Sequence, residues 1–468
     1  MTDRGGEWYF RAYVLGFLAI FAAFYPSTYA IEDELNILSL SVALSKGTVF
    51  LDEAGVDLDA DLLWNGHRIS KYSPLHAALL APAVATNWRL GFVVTAAFAL
   101  LGAFIVRTML RREGLSAGWV ALYFLCAGTW FYSRTLMAAV PASVMVLAGA
   151  SLLVREPARP LAGGLALGLA GLLHPWMIPV AAALSLGWWL GRGRRDFRPG
   201  LLLMAGAAPC AAALLAYNAY TTGHPLINAY SVMGTQYGFK AEHIETYLPL
   251  YLGSLLLMPI AGWAAFSPRW SGGLAIPFAV TIVIVMSSIY YYRDGLGYGI
   301  AGLLPAQRFL LPASMLACVP AARWLAARWP ALVGPWPSRL ALAAFLAGFT
   351  AVSFGHGAYL DAHAQVQHAV QQQIPEGAQV IVGERAYKSF APVLGTWHLA
   401  HVRRGQLPRG PFREPVYVMW LGPPGSTPPA GWMDAGAVRH PARSWVWNRD
   451  VWIGRAAPEV LASRSEHP

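Results

Sequence analysis

Tyr13-Val14-Leu15-Gly16-Phe17-Leu18-Ala19-Ile20-Phe21-Ala22-Ala23-Phe24 is an uncharged apolar run, and beyond Pro26 it gives way to Ile31-Glu32-Asp33-Glu34. A helix of roughly 20 such residues, rising about 1.5 Å per residue, crosses the roughly 30 Å hydrocarbon layer of a membrane. Three consecutive acids at the end of that run stand at the membrane rim. Carboxylates held at such a depth serve chemistry or ion handling; the plainer alternative is a set of solvated rim residues.

Similar runs recur as far as residue 355. The chain has 56% apolar and 12% charged residues and 19 Trp among 468 residues, a composition whose solvent is mostly lipid. It reads as an all-α polytopic membrane protein. Spans are predicted near 11–30, 89–110, 117–133, 138–154, 161–174, 176–191, 200–217, 247–266, 272–292, 303–323 and 338–355, about eleven in all, with the two around His174 short enough to be tilted or partial. The first run is too long for a typical signal-peptide apolar region, so it reads as a retained span. Cys126, Cys210 and Cys318 fall inside predicted spans without metal-ligand spacing and read as packing residues.

Arginines set the orientation. Arg4, Arg107 with Arg111 and Arg112, Arg155 with Arg159, Arg192 with Arg194 and Arg195, Arg269, and Arg323 with Arg328 fall on alternate loops, the side that stays cytoplasmic. The acids at 32–34 and 52–61 and the polar segments 218–245 and 290–308 then lie outside. The net charge of +10 reports this topology and implies no nucleic-acid partner. From residue 356 to 468 the pattern becomes that of a small soluble α/β unit: an amphipathic helix over Asp361–Ile374, the turn Pro375-Glu376-Gly377, and strands at Gln379–Val382 and Val416–Leu421. An odd number of spans after a cytoplasmic N-terminus puts this unit outside, so the division is 1–355 in the membrane and 356–468 beyond it.

The first outer loop, 31–74, is about forty residues long, a length typical of functional loops. It opens with the acids and closes with Asn65-Gly66-His67-Arg68-Ile69-Ser70-Lys71-Tyr72-Ser73-Pro74-Leu75. Between them Glu34–Lys46 reads as a surface-lying helix with Leu35, Leu38, Val42 and Leu44 as its apolar face. Folding the loop back brings acid and lysine towards one point. A carboxylate there can accept the proton of an attacking hydroxyl while Lys71 neutralises a phosphate; taken alone, Lys71 also reads as a snorkelling lysine.

A long first outer loop, Asp33-Glu34 after the first span and Lys71-x-x-Pro74-Leu75 leading into the next helix together resemble the GT-C superfamily of polyprenyl-phosphate-sugar-dependent glycosyltransferases. The protein O-mannosyltransferases and lipid A aminoarabinose transferases are the nearest likenesses. Three further segments are similar: Tyr217-Asn218 with Thr222-Gly223-His224-Pro225-Leu226; Gln307-Arg308-Phe309 ahead of a late span; and Tyr132-Ser133-Arg134 at the second outer turn. The resemblance implies a GT-C-like fold in a bacterial inner membrane and transfer of a sugar, with inversion, to a lipid, glycan or protein acceptor on the periplasmic face. It implies Asp33 as base, Glu34 and Glu32 as neighbouring acids, and Lys71, Arg308 and Arg134 around the donor phosphate. Fixed cations there stabilise charge growing on the leaving phosphate. Tyr72, His67, Asn218, His174, Lys240 and Glu242 are the candidate substrate contacts. Plainer readings stand beside them: a turn histidine for His174, a helix-terminating asparagine for Asn218, a solvated loop for Lys240 and Glu242.

One departure matters. Many relatives carry a second acid in the second outer loop, where this chain reads Leu136-Met137-Ala138-Ala139-Val140-Pro141. Base work then rests on 32–34 or on a later residue such as Glu242 or Asp294. The missing acid also weakens a divalent metal, which wants several oxygen ligands. A flippase or transporter of lipid-linked sugars is the alternative in another class, but it calls for mid-membrane charges or related halves, and these spans carry almost none. A catalytically silent membrane scaffold is the third reading.

Overall fold

The computed structural model describes residues 3–29, 32–53, 63–64, 66–192, 197–229, 241–257, 260–289, 307–375, 377–382, 398–401, 415–443, 448–458 and 460. Helix α1 spans Arg4–Ala23, with the Asp3 side chain accepting from the Gly6 N–H at 3.0 Å to cap it. Helix α2, Glu32–Ser45, places the three acids in its first turn, where the positive end of the helix dipole favours them. Contrary to a helix lying on the surface, α2 is buried all along Glu34–Ala43, Ile37 and Leu40 included. Helix α3, Pro74–Asn87, packs against it, and the Ser39 and Ser41 hydroxyls donate to carbonyls one turn back at 2.7 and 2.8 Å.

Helix α4 covers Gly91–Arg112. The predicted span 117–133 is instead a broken path: a 3-10 turn at Ala117–Val120, then α5, Ala121–Phe124, and α6, Ala127–Tyr132. Next come α7, Ala139–Leu153; α8, Pro160–Leu173; α9, Met177–Gly191; and α10, Arg198–Thr222. A Cβ on Gly164 would lie 1.9 Å from the Leu203 carbonyl oxygen, so α8 and α10 meet backbone to backbone as small residues allow between membrane helices. Beyond them lie α11, Ile244–Leu257; the short α12, Pro268–Ser271; α13, Ala275–Ile289; α14, Leu311–Arg328; and α15, Pro335–Gln373.

Among the described residues three helical stretches are long and apolar enough to cross a membrane, Pro74–Arg112, Arg198–Thr222 and Pro335–Gln373, with shorter apolar helices α7, α8, α9 and α13. The predicted count of about eleven spans is therefore not reproduced by length and composition. Leu125–Cys126 breaks the predicted span 117–133 into short pieces.

The two ends of the helices differ chemically. At one, Glu7 at the start of α1 meets Arg107 near the end of α4 at 2.6 Å, Arg112 donates to the Ser151 carbonyl at the end of α7 at 3.3 Å, and Arg323 of α14 pairs with Glu113. The end of α1, the turn before α7 and the start of α14 must then gather at the other. Aromatic rings fill the seam between: Tyr13 stacks on Phe124 at 5.1 Å, and Phe17 on Phe349 of α15 at 5.1 Å.

Helix α15 runs unbroken through residue 355, so the expected last span and the expected helix at 361–374 are one element of 39 residues, about 60 Å long at the standard rise. It carries the core outward into a small sheet. Leu63–Trp64 and His67–Arg68 form a separate antiparallel pair, β1 and β2, in the first loop. The C-terminal sheet has β3, Gln379–Val382; β4, His398–His401; β5, Val416–Gly422; β6, Val438–Arg443; and β7, Asn448–Arg455, in the order β4-β3-β5-β7-β6. Strand β3 is parallel to β4 and β5; β7 is antiparallel to β5 and β6. Alternation sorts β5 by face: Met419, with Tyr417 and Leu421, joins the helical core, whereas Val416 and Val418 build a second cluster with Ile381 and Ala456.

Candidate active site

Three distant segments converge on Asp33. Its Oδ1 lies 3.1 Å from Lys71 Nζ, just before α3, and its Oδ2 accepts from Arg308 Nη1 at 2.9 Å, just before α14. The Tyr72 hydroxyl donates to the same carboxylate, and Lys71 Nζ sits 5.3 Å from the centre of the Tyr72 ring. Arg308 sits over Phe309, with 4.7 Å from guanidinium carbon to ring centre, and Phe309 in turn packs on Trp176. Burial works to raise the Asp33 pKa, but Lys71 and Arg308, with the hydrogen bonds, outweigh it and hold the carboxyl well below the usual carboxylate range. Side-chain exposures of 18% for Asp33, 12% for Lys71 and 21% for Arg308 keep the group partly open to an incoming molecule.

His174 caps the end of α8, its Nδ1 accepting from the Trp176 N–H at 3.3 Å. Burial and then the charge of Arg308 push its ring down to about 4, with Asp33 opposing, so it is neutral at pH 7. Those causes place it in the electrostatic reach of the Asp33 group.

Glu34 points to a different partner. Its Oε1 accepts from the backbone N–H of Leu136 at 2.9 Å, and His76 Nε2 of α3 bonds the carbonyl oxygen of the same Leu136 at 2.8 Å. Both side chains are buried. The turn before α7 is thereby held at Leu136 between α2 and α3, and Glu34, expected as a neighbouring acid, meets a backbone N–H there. His76 escaped the sequence reading, although a lone ionisable residue in an apolar helix was the available signal.

Arg134, expected beside the donor phosphate, follows α6 and is fully buried, and among the described residues none of its three guanidinium nitrogens has a hydrogen-bond partner. No ion pair joins it to Asp33 among the described residues. Asn218 lies within α10, which runs on to Thr222 and is capped by Gly223, so it does not terminate the helix; its Nδ2 donates to the Pro225 carbonyl at 3.1 Å and its own carbonyl accepts from the Thr222 hydroxyl at 2.7 Å. His67 is partly exposed, 3.3 Å from Asp52 and stacked on Phe50 at 4.3 Å. Glu242 is exposed in a 3-10 turn, Ala241–His243. Glu32 opens α2, but its side chain lies outside the described residues, as do Lys240 and Asp294. Among the described residues no group of three or more His, Cys, Asp or Glu is arranged to hold a metal ion.

Comparison with solved structures then bears on the fold. ArnT from Cupriavidus metallidurans in the apo state matches over 94% of this chain and 97% of its own, at 13% identity and a TM-score of 0.58. The same protein bound to undecaprenyl phosphate matches over the same shares at 13% identity and a TM-score of 0.56. The chain has the ArnT fold. That is the fold the GT-C resemblance led one to expect, membrane helices and C-terminal unit together. No family model matches the sequence, and no curated protein matches it.

Proposed function

We propose that the protein is a membrane glycosyltransferase of the bacterial inner membrane that moves a sugar from a polyprenyl-phosphate donor to an acceptor on the periplasmic face, by inverting displacement with Asp33 as base. The observation that carries this reading is the bridge Lys71–Asp33–Arg308, an acid held between two cations drawn from three distant segments. The fold is shared with a protein solved in complex with undecaprenyl phosphate, which supports a lipid-phosphate donor.

The chemistry follows from competition. With both oxygens ion-paired, Asp33 is too acidic to be an effective base. A donor phosphate drawn to Lys71 and Arg308 takes over those cations, and Asp33, losing them while still shielded, gains basicity as the donor seats. The acceptor hydroxyl gives its proton to Asp33 as its oxygen attacks the anomeric carbon, and the bond to phosphate breaks with its electrons on the leaving group. The cations, now on that phosphate, stabilise the charge where it grows. No acid need protonate a phosphate that leaves, so the absence of a carboxylate at Ala138-Ala139 is compatible with turnover. Lipid, glycan and protein acceptors all fit this scheme.

The test is transfer from a radiolabelled polyprenyl-phosphate sugar by the purified chain in detergent or nanodiscs. Label should reach an acceptor with wild type and not with Asp33→Asn of unchanged melting temperature. Full transfer by that variant removes Asp33 as base, and absence of donor binding by wild type leaves the scaffold reading.

A further inference from the structure

On the side of the second outer turn that faces α15 lies a group the transfer scheme does not use. Arg134 is 0% exposed, with Nε, Nη1 and Nη2 all unpartnered among the described residues. His356 of α15 is 6% exposed, and both of its ring nitrogens are unpartnered there as well. The two are neighbours: the Arg134 N–H donates to the Phe131 carbonyl at 3.1 Å, the Phe131 ring lies 4.8 Å from that of His356, and the Arg134 charge acts on the His356 ring. Ser353, one turn earlier on the same buried face of α15, has a hydroxyl likewise unpartnered at 0% exposure. A buried guanidinium costs several kcal/mol unless an anion meets it, and native proteins leave few such groups unmet.

We propose that Arg134, His356 and Ser353 form a second oxyanion-binding site, for a phosphate group at the rim of the membrane. The donors suit a tetrahedral oxyanion: a planar fork of five N–H groups, an imidazole and a hydroxyl, with no carboxylate paired to Arg134 among the described residues to neutralise it. Phe354, two residues from His356, is 55% exposed on the outer surface of α15, so the site stands one helix away from lipid. A phospholipid headgroup and free phosphate share the required chemistry. Arg134 is sealed in this state, so the anion enters with a movement of the turn that Glu34 and His76 clamp at Leu136. The site does not depend on the transfer scheme, because it shares no residue with the Lys71–Asp33–Arg308 bridge.

The experiment uses the full chain in detergent and in nanodiscs, following binding of radiolabelled orthophosphate and the melting temperature. Wild type should bind orthophosphate, or melt several degrees higher in nanodiscs of phosphatidylglycerol than in those of phosphatidylcholine. Arg134→Gln and His356→Gln should each weaken that effect at least tenfold, while Arg111→Gln, at the opposite end of the helices beside Glu7, leaves it in place. An effect of phosphatidylglycerol alone identifies a headgroup as the source, and one of orthophosphate alone a free anion. Equal behaviour of wild type and Arg134→Gln, or dependence on Lys71 and not on Arg134, overturns the proposal while leaving the donor reading intact. Should Arg134→Gln fail to fold, His356→Gln and Ser353→Ala decide by the same readings.

Discussion

Arg308 and Arg134 come to the same end of the helices and are buried to different degrees for different reasons. Arg308 keeps partial exposure and meets Asp33 at 2.9 Å; Arg134 has no exposure and, among the described residues, no partner for its guanidinium. The first charge is balanced within the chain by an acid that a substrate can displace. The second is balanced by no described residue, and its cost is offset only when something anionic arrives. Burial of an arginine therefore means two things here, and the partners tell them apart.

The hardest blow to this contrast falls on Asp33. Asp33→Asn keeps the shape and removes the base, and transfer should fall about a thousandfold, the range in which general-base catalysis contributes. Single-turnover rates with bound donor measure this directly. A loss in donor affinity alone would instead make Asp33 a placeholder for phosphate. Next in size, Lys71→Gln and Arg308→Gln should each lower kcat by about a hundredfold, the loss seen when one fixed donor to a developing oxyanion is removed. If KM rises while kcat stays, these cations bind the donor equally in ground and transition states, and the charge-stabilising role falls.

Much of the paired side of the comparison was legible in the sequence. Asp33 at the rim and Lys71 at the loop's close could be named from position and charge, because topology and loop length leave few places for them to go, whereas Arg308 before a late helix was named only through the family resemblance. Strands β3 and β5 were legible from alternation and turn residues. Other features were not. The burial of α2 depends on α3 folding over it, which no local pattern carries, and helix α15 runs through a composition change that reads as a boundary. The Glu34 role depends on a backbone N–H 102 positions away, which side-chain patterns do not encode. His356 went unread because one histidine at the end of an apolar helix is ordinary until an unpartnered arginine is placed beside it.

The clamp at Leu136 separates the two arginine environments and can be loosened without touching either. Glu34→Gln retains an amide oxygen for the Leu136 N–H, whereas Glu34→Ala leaves a buried donor unmet, a loss of about 1–3 kcal/mol. The alanine variant should melt lower than the glutamine variant, by thermal denaturation in a matched detergent. Equal melting temperatures would mean that packing, and not this hydrogen bond, holds the turn.

The smallest expected effect is one of pH, and it tests whether His174 belongs to the Asp33 side. Its ring titrates near 4 when folded, against 6.5 for a free histidine side chain. Between those values the unfolded chain binds the proton more readily than the folded one, so stability rises with pH across that window and falls as pH drops from about 6.5 towards about 4. His174→Gln has no such proton to bind, and the difference in melting temperature between wild type and variant should shrink or reverse as the pH falls through the window. Asp33 does not blur this. A depressed carboxyl contributes stability above its unfolded value of 3.8 and loses it only as pH falls through the lower folded one, so above about pH 4.5 the difference between wild type and His174→Gln, in which the other buried histidines cancel, reports this ring. Because Arg308 is the second cause of the His174 shift, Arg308→Gln should move the histidine's titration upward, whereas Arg134→Gln should leave it where it is. A His174 titration that follows Arg134 instead would join the two arginines into one site and end the comparison.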